Sequence, residues 1–438
     1  MLNTNFVNEQ NPWWIDYHTI EKDEKVKAAM ANKPGKQYDF PTGDNLIILG
    51  PRQVGKTTYM KLAVLELLEK NRVDPKNVLF FSCDALSDKQ DILELVQYFD
   101  SISDKASRRY LFLDEITFVK DWNVALLALF NSDYLKDKTI WVTGSSSMSL
   151  QKETLPGRNI KKRYFYPLSF REYVDLFYGK IKNAKTIDLN NIEEAYKAST
   201  NLMPHLSEIN RLFESYSFVT GGLLSTSYLF FNAKKDPFNV YGEIYRDALL
   251  SDLFKTGLSE TTFKETLYGI FESYGSCYSS NSIAKRTSIG SHKTVEAYIE
   301  AMGKLFILNT VYKIQDKRVM YRSNKKSYFV DPFIYRVMHL YSAGANAISE
   351  SDKPKIAEGV VGSMLSRRYQ DQLNYLRTKQ DKEVDFVVNG VGIEVKYGNG
   401  KTSDLNTEKG YVLTKSGAPV LDGKRASMPI SIFLYLLS

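Results

Sequence analysis

The sequence is poor in residues that bind metals through sulfur or imidazole. Only two cysteines, Cys83 and Cys277, occur among the 438 residues, and the four histidines lack the spacing of metal ligands. Two isolated cysteines cannot supply a disulfide framework or a thiolate zinc site. Apolar residues make up 43% of the chain and aromatic residues 13%, so buried cores can supply the stability instead.

Long hydrophobic runs are also missing. No apolar run reaches the roughly 18 residues that a membrane-spanning helix needs. The first residues, Met-Leu-Asn-Thr-Asn-Phe, lack the charged and then apolar order of a signal peptide. The sequence therefore predicts a cytoplasmic protein without a membrane partner.

The charge balance is only mildly basic. The net charge is +7 and 25% of the residues are charged. A polyanionic partner such as DNA is compatible with this balance, but a solvated lysine-rich surface gives the same total. Charge alone therefore leaves DNA binding open.

Short apolar runs alternate with helical patterns between residues 45 and 145, which is typical of a parallel sheet covered by helices. A helical period dominates from 168 to 275, and Lys353-Pro354 resembles a linker. The fold class is therefore predicted as α/β, in five parts. They are an N-terminal extension (1–44), a P-loop ATPase domain (45–175), a helical region (176–275), a winged-helix domain (276–352) and an α/β nuclease-like domain (353–438).

A phosphate-binding loop is predicted at residues 50–57. They match the pattern G-x-x-x-x-G-K-[ST], with an apolar strand before them and an amphipathic helix after them. The glycines let backbone N–H groups surround phosphates, and the helix N-terminus favours negative charge. We therefore expect ATP and Mg²⁺ as cofactors. The predicted nucleotide contacts are Gly50, Pro51, Arg52, Gln53, Val54, Gly55, Lys56, Thr57 and Thr58, with Lys56 on the β- and γ-phosphates and Thr57 on Mg²⁺.

Two acidic residues follow a second apolar strand. Asp114 and Glu115 come directly after Tyr110–Leu113, where P-loop proteins hold Mg²⁺ and activate water. Asp114 is predicted to hold the metal and Glu115 to act as the general base. Alone, such a pair is usually a solvated strand end, but the phosphate-binding loop before it strengthens the prediction.

Two further residues complete the predicted ATP site. Ser145 follows a third strand and is placed to sense the γ-phosphate, with Thr143 as the reserve and a simple Gly/Ser turn as the alternative. Arg158 is a candidate arginine finger, acting in cis or, in a homo-oligomer, in trans. A plain surface arginine is the other interpretation.

A winged helix is predicted between residues 281 and 330. Two helices (281–287 and 292–305) precede two strands (306–312 and 325–330), joined by a basic hairpin. The hairpin cations are Lys313, Lys317, Arg318, Arg322, Lys325 and Lys326. DNA contact is one interpretation; binding only to another part of the protein is the alternative.

A hairpin near the C-terminus brings acidic residues together. Asn389-Gly390 predicts a two-residue turn, which places Asp385 opposite Glu394 and puts Lys396 on the same face. Opposed carboxylates repel unless a cation lies between them, so a Mg²⁺ or Mn²⁺ site is predicted, with Lys396 as a catalytic residue. Surface ion pairing is the alternative, because Glu-x-Lys strands are common.

These segments together resemble those of AAA-type ATPases from archaea and bacteria that carry a C-terminal restriction-endonuclease-like domain. The resemblance rests on the segments above and on residues 166–173, which read Tyr-Pro-Leu-Ser-Phe-Arg-Glu-Tyr. Val219–Gly222 and Tyr328–Pro332 also fit, although a proline usual after the glycine pair is missing. The resemblance implies a PD-(D/E)xK fold, with Glu358 as a further metal ligand.

The predicted function is a Mg²⁺-dependent ATPase coupled to DNA, with a metal-dependent nuclease-like domain. A signalling or scaffold ATPase whose last domains only bind proteins is the main alternative. A nucleotide switch that rarely hydrolyses ATP is another. ATP turnover measured with and without DNA would distinguish the three.

Overall fold

The computed structural model describes residues 2–31, 38–144, 159–255, 257–344, 348–378 and 382–437. The chain divides into two compact units, residues 1–166 and 167–438. None of the helices in the described ranges is long and apolar enough to cross a membrane.

The first unit is built on a five-stranded parallel sheet in the order β2-β3-β4-β1-β5. The strands are β1 (Leu46–Leu49), β2 (Val78–Ser82), β3 (Arg109–Asp114), β4 (Lys138–Gly144) and β5 (Lys161–Tyr164). The helices are α1 (Thr4–Gln10), α2 (Glu24–Ala31), α3 (Lys56–Glu69), α4 (Lys89–Ile102) and α5 (Trp122–Asn131). Every residue of β1 is buried, as expected for a parallel strand covered on both faces. The alternation of strands and helices predicted from the sequence is confirmed.

The N-terminal extension protects the edge strand β2. The indole Nε1 atoms of Trp13 and Trp14 both donate to the carbonyl oxygen of Val78, at 3.0 and 2.9 Å. The side-chain amide of Asn11 pairs with both backbone groups of Phe80. An unpaired edge strand exposes hydrogen-bonding groups that would otherwise recruit another chain. The tryptophan pair is therefore a packing and capping element.

The second unit contains an eight-stranded mixed sheet in the order β12-β13-β11-β10-β9-β8-β6-β7. Its strands are β6 (Leu308–Gln315), β7 (Arg318–Phe329), β8 (Leu373–Arg377), β9 (Glu383–Val388), β10 (Val391–Lys396), β11 (Gly410–Thr414), β12 (Val420–Asp422) and β13 (Arg425–Pro429). Its helices are α6 (Phe170–Phe177), α7 (Ile192–Leu202), α8 (Leu206–Ser215), α9 (Leu224–Ala233), α10 (Phe238–Phe254), α11 (Glu260–Glu272), α12 (Ser280–Arg286), α13 (His292–Lys304), α14 (Pro332–Ala343), α15 (Lys353–Tyr369) and α16 (Ile430–Leu437).

The sheet runs through the boundary predicted between residues 352 and 353. The hairpin strand β6 pairs in parallel with β8, so the predicted wing and the predicted nuclease-like part share one sheet. Lys353-Pro354 is not the linker that the sequence suggested, because it begins α15. Proline is well suited to the first helical turn, where its missing N–H would have no helical partner.

The buried carboxylate of Asp331 lies where three segments noted in the sequence meet. They are Val219–Gly222, Tyr328–Pro332 and Pro167-Leu168. Its two oxygens accept hydrogen bonds from the backbone N–H groups of Phe333 and Gly222, both at 2.8 Å. A Cβ atom on Gly221 would lie 2.0 Å from Asp331 Oδ1, so only glycine fits there. These segments therefore have a structural role in holding α14 against the turn at Gly221-Gly222.

Candidate functional site

The loop between β1 and α3 has the geometry of a phosphate-binding loop. Gly55 adopts φ 95°, in the left-handed region that favours glycine, and it precedes the first residue of α3. Gly50 is required for a different reason, because a Cβ atom there would lie 2.0 Å from the carbonyl oxygen of Phe165. The loop is thus folded tightly against the chain that follows β5, and the helix N-terminus opens onto it.

Lys56 is held inside this loop. Its side chain is 4% exposed, and its ammonium donates to the carbonyl oxygens of Gly50 and Pro51, both at 2.9 Å. The carboxylate of Glu115 lies 3.9 Å from the same ammonium. The loop therefore fixes one positive charge beside the helix N-terminus, where a phosphate would gain both interactions.

Asp114 lies at the end of β3 and is buried between two hydroxyl groups. Thr57 Oγ1 donates to Asp114 Oδ2 at 2.7 Å, and Thr143 Oγ1, from β4, donates to Asp114 Oδ1. Because β4 lies between β1 and β3, it brings Thr143 to the same sheet edge as the other two residues. Hydroxyl and carboxylate oxygens are the ligands that Mg²⁺ prefers, so the residues present fit this metal.

Glu115 is aimed into the same region by an unusual backbone. It has φ 52°, and its N–H donates to Thr143 Oγ1 at 2.8 Å. Its side chain is 21% exposed, so water can reach the carboxylate. Sequence reasoning kept Thr143 only as a reserve γ-phosphate sensor, whereas the structure shows that it positions both acids.

The remaining predicted nucleotide contacts lie along the same loop and the first turn of α3. The guanidinium of Arg52 lies over the ring of Phe118, 5.4 Å from its centroid. Gln53 is exposed and has φ 59°, whereas Pro51 and Val54 are buried. Thr58 is the third residue of α3. Ser145 and Arg158 lie outside the described residues.

The C-terminal hairpin has the register predicted from its turn. Val391 pairs with Val388 and Ile393 with Phe386, and both Asn389 and Gly390 have positive φ. The ladder ends at this second pair, and Asp385 and Glu394 are the next residues on their strands. Asp385 Oδ2 accepts from the backbone N–H of Val395 at 2.9 Å, while Glu394 Oε1 accepts from Lys396 Nζ at 2.7 Å.

A lysine side chain from β7 lies beside Asp385 and two further acids. Lys326 Nζ, on β7, lies 3.1 Å from Glu358 Oε1, 2.7 Å from Glu383 Oε1 and 3.0 Å from Asp385 Oδ1. The hydroxyl of Tyr328 donates to Glu358 Oε1 at 2.6 Å. We call Lys326, Glu358, Glu383, Asp385, Glu394 and Lys396 the carboxylate cluster.

Burial perturbs two acids of the carboxylate cluster in the same direction. Desolvation, followed by the charge of Asp385, raises the pKa of Glu358 to about 7 and the pKa of Glu394 to about 7. Lys396 and its hydrogen bond act in the opposite direction on Glu394. The protein therefore disfavours charge on these acids near neutral pH.

The predicted divalent-metal site does not fit this arrangement. Within the described ranges, no group of three or more acidic, histidine or cysteine side chains is arranged to hold a metal ion. Lys326 lies between Glu358 and Asp385, and Glu394 is bonded to Lys396. The sequence prediction overlooked an ammonium group supplied from β7.

The basic hairpin also needs a correction. Lys325 and Lys326 were predicted to belong to its charged surface, but they are buried, with exposures of 8% and 1%. Lys317, Arg318 and Arg322 are exposed. The alternation of Lys326 and Tyr328 along one strand could have revealed that both side chains lie on the same inward face.

The match to a known family covers most of the first unit and the first eight residues of the second. Residues 43–174 match the model of a family described as an AAA domain. Together with the parallel sheet and the phosphate-binding loop, this match defines an AAA-type P-loop ATPase domain.

Among individual proteins, the chain is 24% identical over 352 residues to the uncharacterized protein MJ1637 of Methanocaldococcus jannaschii, covering 75% of this chain and 70% of that protein. The Aeropyrum pernix ORC1 protein, solved in complex with DNA, shares 13% identity with a TM-score of 0.33, over 73% of this chain and 92% of that one. AMPPCP-bound DnaA from Aquifex aeolicus shares 15% identity with a TM-score of 0.25, over 67% of this chain and 88% of that one. TM-scores this low add nothing to the assignment of function.

Proposed function

We propose that the chain is a Mg²⁺-dependent ATPase whose nucleotide state is coupled to contact with DNA. The observation that carries the ATPase proposal is the convergence of Lys56, Thr57, Asp114 and Glu115 on one end of the parallel sheet. An ammonium, a hydroxyl and two carboxylates with different surroundings are the groups that phosphoryl transfer to water requires.

Each side chain has a separate role in this proposal. Lys56 exchanges its carbonyl partners for the β- and γ-phosphate oxygens and neutralises their charge. Thr57 and Asp114 would hold Mg²⁺, which would neutralise further phosphate charge. Glu115 lies on the water-accessible side and orients and polarises the attacking water as the general base.

Ser145 and Arg158 remain proposals for the γ-phosphate sensor and the arginine finger. If Arg158 acts in trans, the active form is a homo-oligomer in which one subunit completes the site of its neighbour. Mixing Lys56→Ala and Arg158→Ala subunits tests this, because complementary subunits would restore turnover only in trans.

The DNA contact is proposed for the hairpin between β6 and β7. The exposed Lys317, Arg318 and Arg322 make no ion pair in the part of the chain that the structure describes. Tyr321, between them in the sequence, is 66% exposed. Exposed cations and an exposed aromatic ring on one hairpin suit a nucleic acid, which offers both phosphates and base faces.

The test is ATP turnover by the full chain with Mg²⁺, measured with and without duplex DNA. We expect turnover in both cases and a change in rate when DNA is added. Turnover that is indifferent to DNA would favour the scaffold alternative, in which the second unit binds proteins. The absence of turnover, with ATP bound, would favour a nucleotide switch.

Phosphodiester cleavage by the C-terminal part is the further activity that the sequence predicts, and we expect none in the wild-type protein. Lys326 lies between Glu358 and Asp385, where the divalent metal was predicted, so we derive no metal-dependent step. Nicking of supercoiled DNA with Mg²⁺ or Mn²⁺ that both Asp385→Ala and Lys396→Ala remove would establish the nuclease instead.

A further inference from the structure

The ion pairs of Lys326 in the carboxylate cluster join three elements that are distant in sequence. Lys326 comes from β7, Glu358 from α15, and Glu383 and Asp385 from β9. All three carboxylates lie within 3.1 Å of the one ammonium, and the lysine side chain is 1% exposed. A buried ammonium is tolerated only when charged or polar partners replace its water, and here carboxylates do so from three directions.

The carboxylate oxygens of Glu358 and Asp385 that face Lys326 already have partners. Asp385 uses one oxygen for Lys326 and the other for the N–H of Val395. Glu358 Oε1 accepts from both Lys326 and Tyr328, and Glu394 Oε1 accepts from Lys396. Glu394 Oε2 is buried without a hydrogen-bond partner in the described part of the chain. A divalent cation that used Glu358 Oε1 and Asp385 Oδ1 would have to replace the hydrogen bonds that Lys326 makes to both oxygens.

We infer that Lys326 is the resident cation of the carboxylate cluster and that it excludes a divalent metal from the seat between Glu358 and Asp385. Occupation is mutually exclusive, since a metal there must displace an ammonium that makes three ion pairs. The inference does not depend on the ATPase proposal, because it concerns only residues of the second unit.

The ion pairs of Lys326 also hold the hairpin formed by β6 and β7. Lys326 lies near the inner end of β7, and the exposed Arg318 and Arg322 lie toward the other end of that strand. The ion pairs of Lys326 therefore fasten the base of the proposed DNA-contacting hairpin to α15 and β9. A metal bound between Glu358 and Asp385 would break the ion pairs of Lys326 and so loosen the hairpin. By linkage, the ion pairs that hold the hairpin would oppose metal binding by the same free energy.

The test is calorimetric titration of the nucleotide-free full chain with Mn²⁺. We expect no saturable binding that depends on Asp385 in the wild type. In Lys326→Met, which keeps most of the side chain's length and removes its charge, Mn²⁺ should show saturable binding at least tenfold tighter than any in the wild type, and adding Asp385→Asn should abolish it. Lys396→Met is the matched control, since Lys396 is 42% exposed and contacts only Glu394 among the cluster acids in the described structure.

Two results would overturn the inference. The first is saturable Mn²⁺ binding by the wild type that Asp385→Asn removes. The second is a folded Lys326→Met variant, or Lys326→Gln if the first does not fold, that binds Mn²⁺ no better than the wild type. If neither lysine variant folds, the comparison of wild type with Asp385→Asn decides the matter by itself.

Discussion

The two units place lysine and acidic side chains together in opposite ways. In the first unit, Lys56 donates to two main-chain carbonyl oxygens at 2.9 Å, with the carboxylate of Glu115 farther away at 3.9 Å. Asp114 is held by the hydroxyls of Thr57 and Thr143. In the second unit, Lys326 is held by three carboxylates. Neutral partners position a charge without cancelling it, whereas opposite charges cancel one another. The first arrangement suits a charged ligand, and the second suits a fixed structure.

The same substitution, glutamine for glutamate, tests the difference between the two sites most sharply. Glu115→Gln should lower the rate of ATP hydrolysis by roughly 10²–10⁴-fold, the usual contribution of a general base, while ATP still binds. Glu394→Gln removes an acid from the carboxylate cluster and should leave the rate unchanged. Phosphate release and nucleotide binding, measured side by side, check both. Equal rates for the two variants would contradict the assigned difference.

A second change tests the lysine of the first site. Lys56→Ala should weaken ATP binding on the order of 100-fold, because charge-assisted contacts to buried phosphates are lost. Fluorescence titration with a labelled ATP analogue measures the effect. Lys70→Ala, a change on the exposed end of α3, is the control and should bind as the wild type does. Similar ATP affinities for both variants would show that Lys56 does not contribute to ATP binding.

A smaller effect is expected in the basic hairpin. The triple variant Lys317→Ala/Arg318→Ala/Arg322→Ala should weaken duplex binding and reduce its salt dependence by roughly three units of log–log slope, if each cation neutralises one phosphate. Binding measured across a salt series checks this. The variant Lys180→Ala/Lys182→Ala/Lys185→Ala removes the same charge from exposed positions elsewhere in the unit. An equal loss in both variants would show only a general charge effect.

The smallest effect is in the pH dependence of stability. Burial raises the pKa of Glu394 to about 7, so the folded state holds its proton more firmly than the unfolded state. The resulting stability is complete below the ordinary pKa of a glutamate and is lost as the pH rises through about 7. The midpoint of thermal unfolding should therefore fall more between pH 5 and pH 8 in the wild type than in Glu394→Gln, by on the order of 2–4 °C. Parallel pH curves would show that Glu394 is not coupled to folding in this way.

The convergence of Lys56, Thr57, Asp114 and Glu115 could be predicted because the pattern of each segment is local. Gly50 to Thr57 are contiguous and follow β1, and Asp114 and Glu115 lie at the end of β3. Because β1 and β3 are parallel strands of one sheet, both segments lie at the same edge of it. The role of Thr143 was harder to predict, since it depends on β4 lying between β1 and β3. The predictions for Ser145 and Arg158 are untested.

The carboxylate cluster could be predicted only in part. The turn at Asn389-Gly390 fixes a local register, and the structure confirms it. The contacts of Lys326 depend on β6 joining the same sheet as β8, which pairs residues about sixty positions apart. No local pattern encodes such a pairing, so a lysine assigned to the surface was found to be buried among acids.

The central claim is that one site takes its cation from solution together with nucleotide, while the other carries its own in Lys326. Electron paramagnetic resonance of Mn²⁺ tests it most directly, by counting ions bound to the wild-type chain with and without a non-hydrolysable ATP analogue. The account predicts a single bound ion per chain, present only with the nucleotide, lost in Thr57→Val and retained in Glu394→Gln. An ion that binds without nucleotide and disappears in Glu394→Gln would contradict it.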